Sequence, residues 1–201
     1  MKTKLTFTLV LITSILFGQK LRDSVYVKTD IFEVVYSEKL EQPKWLRYKS
    51  TNRPKRVERT GLDFYTVDGV HTSDGADYAR NEWDKGHLAP AATFADTEEN
   101  MKATFSYLNC ALQQQDFNRG EWRLLEEQER VWDDKENLTV LVRLRYPSIS
   151  IKVPTGASIP SQFQKHIFFE TQKKWQCYEF PNAKPERKWE TYKIECKEHK
   201  K

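Results

Sequence analysis

The chain has 201 residues, which is enough for one domain with a complete hydrophobic core. Hydrophobic residues make up 38% and charged residues 31% of it, so the composition excludes a disordered chain. The formal net charge of +4 neither requires nor excludes a polyanionic partner.

The N-terminus has the pattern of a secretory signal. Lys2 and Lys4 precede the mostly apolar stretch Leu5–Phe17, and the small residue Gly18 suits a cleavage site. The alternative is a transmembrane anchor, but the stretch is shorter than the about 20 residues that span a bilayer. We therefore predict a signal peptide over residues 1–18, a single domain over residues 19–201, and a secreted or periplasmic protein without a membrane anchor.

Removal of Lys2 and Lys4 with the signal lowers the formal charge from +4 to +2. Export also permits disulfides. Cys177 and Cys196 are a candidate pair, and three separate buried thiols are the alternative. The absence of a Cys-x-x-Cys pair argues against a structural zinc site.

The first part of the mature chain contains few regular patterns. After an arm over residues 19–30, the β-forming residues of Ile31–Tyr36 predict a strand. Arginines and lysines between residues 50 and 61 predict a basic loop. A second strand is predicted over Asp63–Val67, and the Asp- and Gly-rich residues 68–86 predict a loop.

Helices are predicted in the middle of the chain. Thr97 followed by acidic residues predicts a capped helix start. A helical pattern runs from Gly120 to Asp133, with one predicted buried face made by Leu124, Leu125, Val131 and Trp132.

Strands dominate the last third. Apolar residues alternate with polar ones over Leu138–Tyr146, as in a half-buried strand. Further strands are predicted over Ile149–Val153, Ile167–Glu170 and Trp175–Phe180. Strands and helices do not alternate regularly, so the pattern predicts an α+β fold.

The most informative motif is a short string around one histidine, Asp84-Lys85-Gly86-His87. A neutral histidine is the side chain best suited to take a proton from water near pH 7. Glycine permits a tight bend or a close approach, and Asp84 is suited to set a turn. With an ordinary pKa for His87, activity would rise from acid towards about pH 7.

Two residues further along the chain are candidate metal ligands. An amide oxygen of Asn118 and a carboxylate of Glu126 suit Mg²⁺, which keeps several of its waters. In a regular helix they would lie ~12 Å apart along the axis. Either Asn118 precedes the helix, or Glu126 acts through a metal-bound water, and we favour the second.

The stretch from Trp83 to Glu126 resembles the DNA/RNA non-specific endonucleases, the family that includes mitochondrial endonuclease G. After the histidine motif, this chain carries the family's later positions in order, with Leu88-Ala89-Pro90-Ala91-Ala92, Leu108-Asn109, Phe117-Asn118, Trp122 and Leu125-Glu126. Such a long ordered string is more specific than the tetrapeptide alone.

The resemblance implies a ββα-metal (His-Me finger) fold with a mixed, mainly antiparallel sheet core. It implies that His87 is the general base and that Asn109 orients the catalytic group or the substrate. It further implies that Asn118 binds Mg²⁺ directly, with Mn²⁺ as the alternative ion, and that Glu126 contacts the waters of the metal. DNA or RNA would be cut to leave 5′-phosphates.

The phosphates would be bound by basic residues of this chain. Lys85 stands where the family has arginine, so it keeps the charge but loses the bidentate geometry. Arg59 is our candidate for the upstream phosphate-binding arginine, and Arg53 and Arg56 are the alternatives.

Two other functions stay open at this point. Lys85, together with Leu108 and Leu112 in place of the family's serine and proline, would suit a catalytically weakened nucleic-acid-binding protein. A secreted toxin would need an immunity or inhibitor protein as its partner. The sequence does not decide between DNA and RNA, and it leaves the oligomeric state open.

Overall fold

The computed structural model describes residues 20–197. The predicted signal peptide, residues 1–18, lies outside this range, so its prediction stays untested. Within the described range, no helix has both the length and the hydrophobicity that crossing a bilayer requires.

The strands of the described residues are β1 to β9, at Val25–Lys28, Phe32–Ser37, Gln42–Ser50, Trp83–His87, Cys110–Gln114, Leu138–Arg145, Gln162–Phe169, Lys174–Pro181 and Lys193–Ile194. The α-helices are α1 to α3, at Glu98–Thr104, Gln115–Phe117 and Arg123–Asp133. A π-helical segment, Asn118–Trp122, joins α2 to α3, and 3-10 turns lie at Gly75–Tyr78, Ala91–Phe94, Tyr107–Asn109 and Trp189–Tyr192.

Seven of these strands form one sheet in the order β1-β2-β3-β6-β7-β8-β9, and every neighbouring pair is antiparallel. The predicted strand at Leu138–Tyr146 is confirmed as β6. Leu138, Val140 and Val142 are fully buried on its inner face, as the alternation of apolar residues predicted.

The other two strands form a separate antiparallel ribbon. Trp83 of β4 pairs with Gln114 of β5, and His87 at the end of β4 pairs with Cys110. The chain then passes from β5 directly into α2, the π-helical segment and α3. A two-stranded ribbon followed by a helix is therefore the unit that carries the motif residues.

An aromatic cluster fastens this unit to the large sheet. The rings of Phe117 and Trp122 each lie 5.6 Å from the ring of Phe163 on β7, and they also contact Phe180 on β8. These side chains are almost completely buried. Burial of large aromatic rings on both sides of residues 118–121 holds the π-helical segment against the sheet.

The predicted start of the first helix is confirmed. The Thr97 hydroxyl accepts a hydrogen bond from the Asn100 N–H at 3.1 Å, which satisfies one of the free N–H groups of the first turn of α1. Glu98 and Glu99 follow in that turn, where a carboxylate interacts favourably with the helix dipole.

The predicted buried face of the later helix is wrong in part. Val131 is 49% exposed, whereas Glu129 and Asp133 are buried together with Leu125. Glu129 accepts a hydrogen bond from the Tyr48 hydroxyl, and Asp133 accepts one from the hydroxyl of Ser50. Because partners from β3 satisfy these carboxylates, hydrophobicity alone does not identify the buried face.

Several local predictions fail because strand formation depends on a distant partner. The segment 63–67 makes only an isolated parallel bridge, between Tyr65 and Ser106, and Ile149 and Ile151 are exposed at 86% and 62% outside any strand. Conversely, the predicted arm at 19–30 contains β1, and the predicted loop at 68–86 ends in β4.

The disulfide prediction is confirmed. Cys177 of β8 is bonded to Cys196, beyond β9, while Cys110 is a free and buried thiol. The bridge joins the segment after β9 to β8, the strand next to the edge of the large sheet.

Candidate active site

A cleft of about 580 Å³ opens between the basic loop, the end of β4 and α3. Five of the six predicted site residues line it, and these are Arg59, Lys85, His87, Asn118 and Glu126. A larger depression, about 780 Å³, lies on the outer face of the large sheet and contains neither histidine nor carboxylate side chains. The groups suited to catalysis therefore meet in the smaller cleft.

The ribbon of β4 and β5 positions His87. Gly86 pairs with Ala111, and a Cβ added at Gly86 would lie 2.6 Å from the Cβ of Gln113 and 2.1 Å from its Oε1. Such distances are far below van der Waals contact, so only glycine lets the two strands pack as they do. The glycine of the motif is thus required by packing one residue before the histidine.

Asn109 is the predicted site residue that does not line the cleft. Its side chain is fully buried, and its Oδ1 accepts from the Ala89 N–H at 2.7 Å. Its Nδ2 donates to the carbonyls of Ala89 at 2.9 Å and Thr104 at 2.8 Å. This geometry suits a residue that fixes the backbone after His87, and it does not suit contact with a substrate.

Aromatic rings surround the imidazole of His87. The ring centroids of Phe64 and Phe105 lie 4.8 Å and 5.0 Å from that of the imidazole. Within residues 20–197 the buried Nε2 of His87 has no hydrogen-bond partner. Burial, and secondly the positive charge of Arg59, lower the pKa of His87 to about 3. The imidazole is therefore neutral at pH 7. The loss of activity in acid that protonation of an ordinary histidine would cause is expected at lower pH for His87.

The basic residues of the cleft approach this aromatic group from solvent. Lys85 Nζ lies 2.8 Å from an Asp63 oxygen and 5.6 Å from the centroid of the Phe64 ring. The guanidinium of Arg59 lies 5.5 Å from the centroid of the Phe105 ring. Both cations therefore stand beside His87 at the mouth of the cleft.

The three arginines that are candidates for the upstream phosphate contact lie in different surroundings. Arg59 lines the cleft, whereas Arg53 is bound to Asp96 at 2.7 Å and lines the neighbouring cavity. Arg56 is exposed and lines neither of them. The geometry thus favours Arg59, our first candidate, for contact with a phosphate near His87.

The structural role of Asp84 differs from the predicted one. It lies within β4 and does not set a turn. Its carboxylate accepts from Asn118 Nδ2 at 2.9 Å and from Arg119 at 2.8 Å and 2.6 Å. Asp84 thereby joins the ribbon to the π-helical segment.

Four further basic residues line the cleft and were not predicted as site residues from the sequence. Arg119, Arg123 and Arg130 line it together with Lys55. Arg123 and Arg130 are seven residues apart on α3, a spacing that places side chains near one face of a helix, whereas Arg119 lies in the π-helical segment before it. That spacing was the signal in the sequence that could have identified Arg123 and Arg130.

A break in helical geometry lies between the two candidate metal ligands. The segment Asn118–Trp122 is π-helical, and Gly120 has the non-helical dihedral angles φ −101° and ψ −110°. Residues 118 and 126 are therefore not parts of one regular helix, so the distance limit for such a helix does not apply to them. This supports the alternative in which Asn118 precedes the regular helix.

The oxygen atoms present suit a magnesium ion. The bond to Asp84 uses the amide donor of Asn118 and leaves its carbonyl oxygen as the atom for a cation. Glu126 is 13% exposed, and its buried Oε1 has no hydrogen-bond partner among the described residues. Burial raises the pKa of Glu126 to about 7, against the opposing effect of Lys165.

Residues 20–197 contain no group of three or more His, Cys, Asp or Glu side chains that could hold a metal. An ion held by the amide oxygen of Asn118 and the carboxylate of Glu126 would keep most of its waters, as Mg²⁺ does.

The sequence matches the family model described as DNA/RNA non-specific endonuclease over residues 13–201. Mitochondrial endonuclease G of Bos taurus is 36% identical over 75 residues, which are 36% of this chain and 25% of the relative. The human protein is 35% identical over 85 residues, 39% of this chain and 29% of the relative. Mitochondrial nuclease EXOG of Danio rerio is 29% identical over 96 residues, 45% of this chain and 28% of the relative. The matches thus span roughly a quarter of these relatives.

A solved structure described as the EndoG/EndoGI complex superimposes with a TM-score of 0.78 at 22% identity, covering 86% of this chain and 81% of that chain. This likeness confirms the predicted α+β, ββα-metal fold.

Proposed function

Because the chain belongs to the DNA/RNA non-specific endonuclease family, we propose that it is a metal-dependent endonuclease that hydrolyses DNA, RNA or both without sequence specificity. The observation that carries this proposal is the cleft itself. A neutral imidazole with an unbonded Nε2 lines the same cavity as the Asn118 amide and the Glu126 carboxylate.

In the proposed reaction, His87 accepts a proton from the attacking water as the oxygen of that water bonds to phosphorus. The bond between phosphorus and the 3′-oxygen breaks, which leaves a 5′-phosphate and a 3′-hydroxyl whose proton comes from solvent. Asn109 keeps the backbone after His87 in place through its bonds to Ala89 and Thr104.

Asn118 would hold the divalent ion directly, and Glu126 would orient its waters. When bound, Mg²⁺, or Mn²⁺ in its place, supplies charge neutralisation on the phosphoryl oxygens. The aromatic surroundings of His87 keep the imidazole neutral, since burial disfavours its charged form.

Lys85 and Arg59 would bind phosphates on either side of the cleaved bond, and the arginines of α3 would extend this contact. Cations that contact phosphates supply affinity without reading the bases, and such affinity falls as salt rises. This supports activity on many sequences of DNA, RNA or both.

A second candidate function is a catalytically weakened nucleic-acid-binding protein of the same fold. The observation that favours it is the ion pair between Lys85 and Asp63, because Asp63 already neutralises the lysine of the histidine motif. Metal-dependent cleavage separates the enzyme from this alternative.

Export is the third part of the proposal. The N-terminal pattern of residues 1–18 and the bond between Cys177 and Cys196 both suit an oxidising compartment, so we place the protein in the periplasm or outside the cell. The solved neighbour is described as EndoG inhibited in a complex with EndoGI. By analogy, an acidic inhibitor or immunity protein could occupy the basic cleft of this chain.

The test is cleavage of a plasmid and of a structured RNA, with Mg²⁺ and with EDTA, by the wild type and by His87→Ala. His71→Ala is the matched control, because His71 is 53% exposed and outside the cleft. We expect cleavage that needs both the metal and His87. Metal-dependent binding without cleavage by the wild type would favour the second candidate, and undiminished cleavage by His87→Ala would refute the mechanism.

A further inference from the structure

A fully buried lysine lies directly behind the cleft. Lys165 is on β7, where Phe163, Ile167 and Phe169 occupy the neighbouring positions of the same face and are buried in the core. A fully buried ammonium group is costly unless opposite charges and hydrogen bonds compensate it. The groups that contact Lys165 therefore indicate why a charge is retained in this core.

Its first partner is Glu129 of α3. Lys165 Nζ lies 2.6 Å from Glu129 Oε1, while Glu129 Oε2 accepts from the Tyr48 hydroxyl. Nζ also lies 4.0 Å from the centroid of the Trp122 ring. The contacts with Lys165 and Tyr48 are sufficient to compensate the buried carboxylate of Glu129.

Its second partner is the carboxylate of the cleft. Glu126 precedes Glu129 by three residues, so both side chains point from α3 towards β7. Glu126 Oε1 lies 3.9 Å from Lys165 Nζ, and among residues 20–197 it has no hydrogen-bond partner of its own. Glu126 is also one of the residues that line the cleft. One ammonium group thus faces two carboxylates, only one of which is needed to compensate it.

We propose that Lys165 is a positioning residue that holds the Glu126 carboxylate from behind, so that its other oxygen is presented to the waters of the catalytic metal. This inference rests on the proposed function. Residues of this kind, which contact a ligand of the metal or of its waters, typically change metal affinity by about 10–100-fold when they are removed.

The experiment must separate this role from simple neutralisation of Glu129. Lys165→Met leaves Glu129 buried without its counter-charge, so this variant alone could fail through misfolding. The double variant Lys165→Met/Glu129→Gln removes both buried charges and leaves a neutral side chain that still accepts from Tyr48. Lys174→Met, at an exposed position of β8, is the matched lysine control.

The readouts are thermal unfolding, Mn²⁺ binding followed by electron paramagnetic resonance, and binding of a DNA duplex in EDTA. We expect the double variant to unfold near the wild-type temperature and to bind DNA equally well, but to bind Mn²⁺ at least tenfold more weakly. Lys174→Met should match the wild type in all three measurements.

A double variant that folds and binds Mn²⁺ with wild-type affinity would overturn the inference, because Lys165 would then serve only Glu129. Lys165→Arg provides a further test, since partial recovery of Mn²⁺ binding relative to the double variant is expected from a retained charge. Failure of the wild type to bind Mn²⁺ or to cleave would instead count against the proposed function, and this outcome is visible before any variant is compared.

Discussion

The side-chain amide of Asn118 donates to Oδ2 of Asp84 at 2.9 Å, so the first residue of the histidine motif directly contacts the candidate metal ligand. The two residues are 34 positions apart, and the bond joins β4 to the π-helical segment. The distance between His87 and a metal held by Asn118 therefore depends on Asp84.

Asp84→Ala should weaken the binding of Mn²⁺ by about 10–100-fold, because the amide of Asn118 and the guanidinium of Arg119 both lose their acceptor. Asp84→Asn should weaken the binding of Mn²⁺ less, since an amide oxygen at position 84 still accepts a hydrogen bond from Asn118. Calorimetric titration with Mn²⁺ measures the effect. Asp116→Ala, an exposed aspartate of α2, is the control, and equal losses in all three variants would contradict the assigned role.

The imidazole of His87 should stay neutral from pH 8 down to pH 5, because burial lowers its pKa to about 3. Nuclear magnetic resonance of labelled histidines measures this directly, and His87→Ala identifies the signal. A titration midpoint near the ordinary value of about 6.5 would refute the prediction.

The pH dependence of activity follows from the same pKa. Loss of activity between pH 7 and pH 5 cannot then come from protonation of His87. In the metal-free protein, burial raises the pKa of Glu126 to about 7, so Glu126 is the group to which we assign such a loss. Saturating Mg²⁺ should move the loss of activity to lower pH, because a cation favours the ionised carboxylate. A loss of activity at the same pH with and without saturating Mg²⁺ would contradict the assignment to Glu126.

The lowered pKa of His87 also has a consequence for stability. Below pH 6.5 the unfolded chain binds a proton at His87 while the folded chain does not, so stability present above the unfolded pKa is lost as pH falls towards 3. Relative to His87→Phe, the wild type should lose up to about 1.4 kcal/mol of unfolding free energy per pH unit in this window. Urea unfolding at several pH values tests it, and parallel curves for the two proteins would exclude the effect.

Gly86→Ala should destabilise the ribbon by about 1–3 kcal/mol and displace His87, because the new Cβ would meet the Cβ of Gln113 at 2.6 Å. Gly75→Ala is the control, since its nearest contact would be the Tyr107 hydroxyl at 3.6 Å. Urea unfolding and the rate of plasmid cleavage measure the two effects. If Gly86→Ala were as stable and active as Gly75→Ala, close packing of β4 on β5 would not explain the glycine.

The disulfide should stabilise the segment that carries Asn118. Between Cys177 and Cys196, the Trp189 N–H donates to Glu121 Oε2 at 2.6 Å, within the π-helical segment. The variant Cys177→Ala/Cys196→Ala should lose about 3 kcal/mol of unfolding free energy and show faster hydrogen exchange at residues 118–122.

Dithiothreitol should reproduce both changes in the wild type and have no effect on the double variant. Unchanged exchange at residues 118–122 after reduction would show that the C-terminal segment does not hold the π-helical segment in place.

Much of this protein could be predicted from local patterns. The alternation of β6, the cap at Thr97 and the ordered residues around His87 each depend on neighbours within a few positions, so the printed sequence identifies them directly. The residue types also indicated the chemistry that we propose, because a histidine, an amide and a carboxylate in this order suit a metal-assisted hydrolysis.

Other features depend on contacts between distant parts of the chain. The polar residues of β4 form a strand only because β5 pairs with them, and Arg59 is distinguished from Arg53 because Arg53 is bound to Asp96. Neither relationship leaves a periodic pattern in the sequence.

The sequence by itself thus determined the family and the fold class, and it indicated five of the residues that line the cleft. The tertiary structure alone decided that Asn109 is buried away from the cleft, that Asp84 binds Asn118, and that Lys165 compensates two carboxylates of α3. The physical reason is that burial and charge compensation arise from groups far apart in the chain, whereas local patterns report only what a residue prefers among its neighbours.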